Sequence, residues 1–127
     1  MEQTETIRPT EMRVSRDRQT LTVAFGDTDS FALPAEALRV LSPSAEVQGH
    51  APDQRVTVPG KRQVRITGME PVGNYAVRIV FDDGHNTGLF TWKYLLSLGQ
   101  DFERHWSGYL AELEDKGMSR DRPEPPR

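Results

Sequence analysis

Residues Phe81–Leu98 read FDDGHNTGLFTWKYLLSL and carry the chain's most legible structure. Just upstream, Tyr75, Val77, Ile79 and Phe81 put apolar side chains at every second position. That period of two marks a strand with one face turned inward. Asp82-Asp83-Gly84 supplies turn chemistry, because glycine accepts positive φ. Residues 75–81 and 86–91 are therefore predicted to form an antiparallel hairpin, with His85 opening the second arm. Thr91 then caps a helix that presents Trp92, Leu95, Leu96 and Leu98 and is expected to end at Gly99.

Further along, Phe102, Trp106, Tyr109, Leu110 and Leu113 form a helical apolar stripe that starts near Asp101 and is expected to stop at Gly117. Towards the N-terminus, Met12 and Val14 pair with Leu21, Val23 and Phe25 across a polar turn at Arg16–Gln19. A turn at Gly26–Asp29 and a short strand at Ser30–Leu33 follow. Pro34 suits a first helical position, where its missing N–H costs nothing, and Ala35–Leu41 reads as a short helix stopped by Pro43. Ser42–Arg62, with Pro43, Gly49, Pro52, Pro59 and Gly60, is expected to be mostly irregular, with a brief edge strand at Val56–Val58. A loop this long in a small domain is more often functional than accidental. Val64, Ile66 and Met69 form a strand that breaks at Pro71–Asn74. The sum is an α+β fold: a small antiparallel sheet or two short sheets, one short helix, and C-terminal helices packed on them. Residues 1–10 are expected to be a flexible arm, 11–117 a single domain, and 118–127 a disordered tail.

A chain of 127 residues with net charge −3 suits one small domain. Arg and Lys are scattered among Asp and Glu, without the clustered basic footprint of a nucleic-acid binder. No apolar run approaches the roughly 18 residues of a membrane span. MEQTETIRPT lacks the apolar centre of a signal peptide, so a cytoplasmic protein is expected. The absence of cysteine excludes disulfides, thiolate zinc sites, iron–sulfur ligation and cysteine nucleophiles together.

Ser30–Leu41, Val64–Ile66 and above all Asp82–Leu98 resemble a known family. So do the longer runs LRVLSPSAEVQGH (Leu38–His50) and VRITGMEPVGNYAVRIVFDDGH (Val64–His85). The family is the gamma-butyrobetaine hydroxylase-like N-terminal domain (DUF971), in its stand-alone bacterial branch, and the likeness spans about Met12–Leu98. In the hydroxylases this domain precedes a larger 2-oxoglutarate and Fe(II) dioxygenase domain. Only a helix and a tail follow Leu98 here, so the resemblance implies the accessory domain without the enzyme. It also implies a structural zinc held by three cysteines and a histidine. The cysteine positions fall on Ser42, Ser44 and Val47, and the histidine on His85. Neutral serine is a poor zinc ligand and valine is none, so a site of that type is not expected.

Several residues carry candidate chemistry. His85 reads as an exposed turn residue, as a hydrogen-bond partner of the Ser42–Val47 loop, or, less favoured, as a metal ligand with His50 and Asp82 or Asp83. Asp82 and Asp83 read as turn formers, because adjacent side chains on a tight turn diverge. Trp92 and Trp106 read as core, with Trp92 also a candidate interface anchor, and His105 as solvent-facing. Gly68–Gly73 lacks the Lys-Ser/Thr of a phosphate loop, and no nucleophile elbow appears. The resulting expectation is a non-enzymatic binding or adaptor module without a cofactor, whose surface comprises the Ser42–Arg62 loop, His50, His85 and Trp92. Its partner would be an unidentified protein or a second copy of itself, with neither nucleic acid nor membrane involved. The alternative is a histidine-type zinc or iron protein. Relatives fused to iron–sulfur carrier ATPases suggest that setting.

Overall fold

In the computed structural model, residues 8–27, 29–49 and 55–121 are described. Strands β1 (Glu11–Val14), β2 (Thr20–Phe25) and β3 (Asp29–Pro34) form one antiparallel sheet in that order. Leu21 faces Leu33 and Val23 faces Phe31 across the β2–β3 pairing, as the period of two requires. The β1–β2 turn carries Arg18 at φ 64, and Asp17 and Ser15 tie the turn's backbone N–H groups with their side chains. Helix α1 (Ala35–Val40) follows directly, with Pro34 as its N-cap and the last residue of β3 rather than the first helical one.

A second antiparallel sheet contains β4 (Ile66–Val72), β5 (Ala76–Phe81) and β6 (Leu89–Thr91) in chain order. The predicted break at Pro71 lies further on: Pro71 pairs with Val77 on the edge strand, where a missing N–H is tolerated. The chain turns at Gly73-Asn74. Thr91 accepts a hydrogen bond from the Tyr94 N–H and caps α3 (Trp92–Gln100), and α4 (Phe102–Asp115) follows. Helix α3 runs through Gly99 instead of ending there. A Cβ on Gly99 would collide with the Phe31 ring, so this glycine serves helix–sheet contact. Gly117, at φ 66, does end α4: its N–H reaches the Glu114 carbonyl and the Met118 N–H reaches that of Leu113, the Schellman pattern.

One core joins both sheets and the helices. Leu21, Val23, Leu38, Ile66, Ile79, Phe81, Phe90, Leu95 and Tyr109 are all almost fully buried in it. Burying a side chain of this size is worth about 1.5–3 kcal/mol, so this shared core, more than any single bond, fixes how the elements sit.

The connection after α1 contains one more helical turn than expected, α2 (Ala45–Gln48), capped by the Ser44 hydroxyl on the Glu46 N–H. Val56–Val58 is not an edge strand. Side chains of α4 hold it instead: Tyr109 Oη donates to the Val58 carbonyl, Glu112 pairs with Arg55 and Thr57, and Lys116 reaches Thr57. Parts of both expected loose ends are bonded to the body where they are described. Thr10 continues the β1–β2 pairing through Ala24, while residues 1–7 lie outside the described residues. Met118–Asp121 fold back on the body: the Gly60 N–H donates to Ser119 and the Arg62 N–H to Arg120. Arg120 makes two hydrogen bonds to the buried Glu36 carboxylate and lies over the Trp106 ring. This ion pair raises the Arg120 pKa, and without it a carboxylate would be left buried and unpaired.

Candidate functional site

Ser42, just past α1, and His85, between β5 and β6, are distant in sequence but adjacent in the fold. Ser42 Oγ lies 3.0 Å from His85 Nε2, and His85 Nδ1 lies 3.0 Å from Glu46 Oε1 on α2. A carboxylate only accepts, so Nδ1 carries the proton and donates to Glu46. Nε2 then accepts from the Ser42 hydroxyl, whose oxygen in turn accepts the Ser44 N–H. Ser44 Oγ meets Thr87 Oγ1 at 2.7 Å, and Gln48 donates to the Ser42 carbonyl. Val47 packs beside them, 1% exposed. The reading of His85 as a partner of the Ser42–Val47 loop is therefore the one the geometry matches, and the exposed-turn reading is corrected: His85 is 5% exposed.

The turn below is equally committed. Asp82 Oδ1 accepts the Arg65 N–H, whereas Asp83 accepts the His85 N–H and engages Arg39 Nε and Lys61 Nζ at 2.7 and 2.6 Å. The two carboxylates diverge, as a turn demands. Burial alone would raise the Asp83 carboxyl. The bonds from Lys61, the His85 N–H and Arg39 outweigh it and hold it at about 2. Burial and the nearby Arg39 charge push His85 below its ordinary value despite Glu46, so the imidazole is neutral at pH 7.

Ser42, His85 and Glu46 thus have the connectivity of an acyl-transfer triad. Ser42, however, is fully buried, and Gly88 packs so closely on its hydroxyl that even a Cβ there would clash. No substrate reaches that oxygen in this arrangement. The chain Ser42–His85–Glu46 works as a polar staple between the α1–α2 segment and the β5–β6 connection.

Trp92 lies elsewhere. Its indole Nε1 donates to the Asn74 carbonyl and its N–H to that of Tyr75, at the start of β5, while His85 bonds to Phe81 at the end of that strand. Six residues of β5 separate the two ends, on the order of 17 Å at strand rise. The structure does not join His85 and Trp92 into one surface. His50, the remaining predicted binding residue, lies outside the described residues. Among the described residues, no group of three or more His, Cys, Asp or Glu side chains is placed to hold a metal. No helix among them is long and apolar enough to cross a membrane.

The sequence reading missed a groove between the α1–α2 segment, α3 and α4. It measures about 380 Å³ and is lined by Leu41, Gln48, Arg55, Tyr94, Arg104, His105, Gly108, Tyr109 and Glu112. Tyr94 Oη donates to the Leu41 carbonyl and Tyr109 Oη to that of Val58, both at 2.5 Å, so both hydroxyls brace the wall. Burial raises both phenols, Tyr109 to about 12. His105, expected to face solvent, is half-buried, and its Nε2 is buried without a hydrogen-bond partner among the described residues. Its neighbour Trp106 gave no sequence signal for this. The side chain becomes informative only once Arg55 and Gln48 are brought opposite it.

Two three-stranded antiparallel sheets and four helices among the described residues define a small α+β domain. The family model for "Gamma-butyrobetaine hydroxylase-like, N-terminal" matches residues 12–96, and the chain belongs to that family. Two similar proteins have been solved in solution by NMR. One is 48% identical, with TM-score 0.80 and coverage of 95% of each chain. The other is 40% identical, with TM-score 0.77 and coverage of 100% of this chain and 98% of the other. A crystallised DUF971 protein of unknown function from Acidithiobacillus ferrooxidans ATCC 23270 is 38% identical at TM-score 0.59, covering 72% of this chain and 92% of the other. The search of curated proteins returns no match.

Proposed function

We propose that this chain is a non-enzymatic binding or adaptor module that acts without a cofactor and recognises a protein partner or a second copy of itself. The observation that carries this reading is the division of its polar side chains. Those with catalytic character, Ser42, His85 and Asp83, are committed to internal bonds, whereas Arg104 stands exposed on the groove beside α4, held only by a surface contact to Asp101. A rigid scaffold that presents a loop and a groove is the usual arrangement for recognition. The recognition surface is accordingly moved from His85 and Trp92 to the groove that Leu41, Gln48 and Arg55 form with α4.

Capture from native lysate on the immobilised chain tests the reading, followed by purified reconstitution of the captured complex. Arg104→Glu should weaken the complex at least tenfold, and Arg78→Glu, on β5, should leave it unchanged. Equal affinity for the two variants would refute the assignment of the surface.

A further inference from the structure

We infer that Glu36, Trp106 and the Gly60–Arg62 backbone form a slot that reads arginine, which Arg120 fills in cis and which an arginine-bearing extended segment of a protein partner fills by displacing it. The slot is separate from the groove and does not depend on it. Its floor is the Glu36 carboxylate on α1, 6% exposed beneath its occupant, which accepts from Arg120 Nε at 2.8 Å and from Nη2 at 2.7 Å. A two-bond contact of this kind matches the planar fork of a guanidinium. The wall is the Trp106 ring, with the guanidinium carbon 5.2 Å from its centroid. The rim is backbone: the Gly60 N–H donates to the Ser119 carbonyl at 2.9 Å, and the Arg62 N–H to the Arg120 carbonyl at 3.1 Å. Side-chain charge, ring face and main chain of one short segment are thus all engaged.

Two features make the occupant exchangeable. The strap Ser119–Asp121 gives the core no apolar side chain, and Ser119 and Asp121 are exposed. Its remaining side-chain tie to the body, Asp121 to Arg62, lies at the surface, where an ion pair holds little. The strap also begins after Met118, whose N–H closes the stop of α4, so its departure leaves that stop intact. Departure alone is costly, because it leaves a buried carboxylate unpaired. An incoming segment removes that cost only if it brings a cation that reaches both oxygens of Glu36 and lies on the indole face. Arginine does so, whereas lysine is a point charge without the fork. Tethering gives Arg120 a high effective concentration, so a partner must outcompete it. The strap is therefore a built-in competitor that raises the threshold for binding.

The test uses the isotope-labelled full chain, parent and Arg120→Ala, and follows the Trp106 indole N–H and the Gly60 and Arg62 amides by NMR. The probes are three end-capped pentapeptides: one arginine centred among alanines, one lysine in the same place, and Met-Ser-Arg-Asp-Arg, the chain's own residues 118–122. In Arg120→Ala the arginine peptide should shift all three signals along a saturating curve. It should bind at least tenfold more tightly there than to the parent, and at least tenfold more tightly than the lysine peptide. Adding Glu36→Gln to Arg120→Ala should abolish that binding. Arg120→Lys keeps a charge beside Glu36 and serves if Arg120→Ala fails to fold; its affinity should exceed the parent's. Non-saturating shifts, equal affinity for the arginine and lysine peptides, equal affinity in parent and variant, or binding that survives Glu36→Gln would overturn the inference. Binding of the 118–122 peptide alone would overturn the assignment to a partner and give the slot to the C-terminal segment of a second copy. Arg104→Glu reports on the groove alone, so the slot and the groove can fail separately.

Discussion

His85 bonds to Ser42 and Glu46 of the α1–α2 segment and His105 shares a groove with Leu41 and Gln48 of the same segment, yet the chain treats them in opposite ways. At His85 both ring nitrogens and the backbone N–H are paired, and the imidazole is closed off under Ser42, Glu46 and Gly88. At His105 a ring nitrogen is buried without a partner beside a groove. A closed polar network holds parts together, whereas a buried polar atom without a partner adds nothing to stability. Stability should therefore separate the two histidines, and substitutions can test that separation.

The largest effect is expected at His85. His85→Ala removes a buried ring and leaves the fully buried Ser42 hydroxyl with no acceptor on that side. Cavity and lost hydrogen bonds together should cost about 2–4 kcal/mol, read as a lower urea midpoint. His105→Ala should stay within about 0.5 kcal/mol of the parent. Equal losses at the two positions would break the contrast. Gly88→Ala probes the same closure from the β5–β6 side: its Cβ would meet Ser42 Oγ and the Phe90 ring, and overpacking of this kind costs about 1–3 kcal/mol.

Next comes the electrostatic base of the His85 turn. Asp83 is held at about 2, against 3.8 for a free carboxyl. Because its folded pKa is depressed, its contribution is complete above pH 3.8 and is lost as pH falls towards 2. Asp83→Asn should lower stability at pH 7 by about 1–2 kcal/mol and flatten that acid limb. His85 adds a separate signature. The unfolded chain takes a proton as pH falls through 6.5, while the buried ring resists it, so stability declines below pH 6.5 and is complete above it. Urea midpoints at pH 7.5 and 5.5 should differ less in His85→Gln than in the parent. An unchanged difference would show that the ring is not held neutral by its surroundings.

The sequence made one side of this contrast readable and hid the other. Local patterns fixed the hairpins, the Thr91 cap and the Gly117 stop, because each depends on neighbours a few residues away. The Ser42–His85 juxtaposition was visible only through the family resemblance, since 43 residues separate the partners. Glu46, Arg39 and Lys61 gave no signal, because charged residues on short helices and loops look alike until tertiary contacts select them. Gly99 was misread for the same reason: its role is the Phe31 ring, which no local rule sees. The docking of Arg120 on Glu36 was hidden by its proline-rich surroundings.

The smallest predicted effect reverses sign, which makes it the sharpest discriminator. Gly108 lies in the interior of α4 on the groove wall, and a Cβ there would meet nothing within 4 Å. Alanine costs less backbone entropy than glycine in a helix, so Gly108→Ala should raise stability by about 0.5–1 kcal/mol. The same change that destabilises at Gly88 would stabilise here, because one glycine touches a filled site and the other faces open space. The added methyl also narrows the groove, so affinity in the reconstituted complex should fall as the urea midpoint rises. A gain in stability with unaltered affinity would place the partner away from Gly108, towards the Arg55 end of the groove.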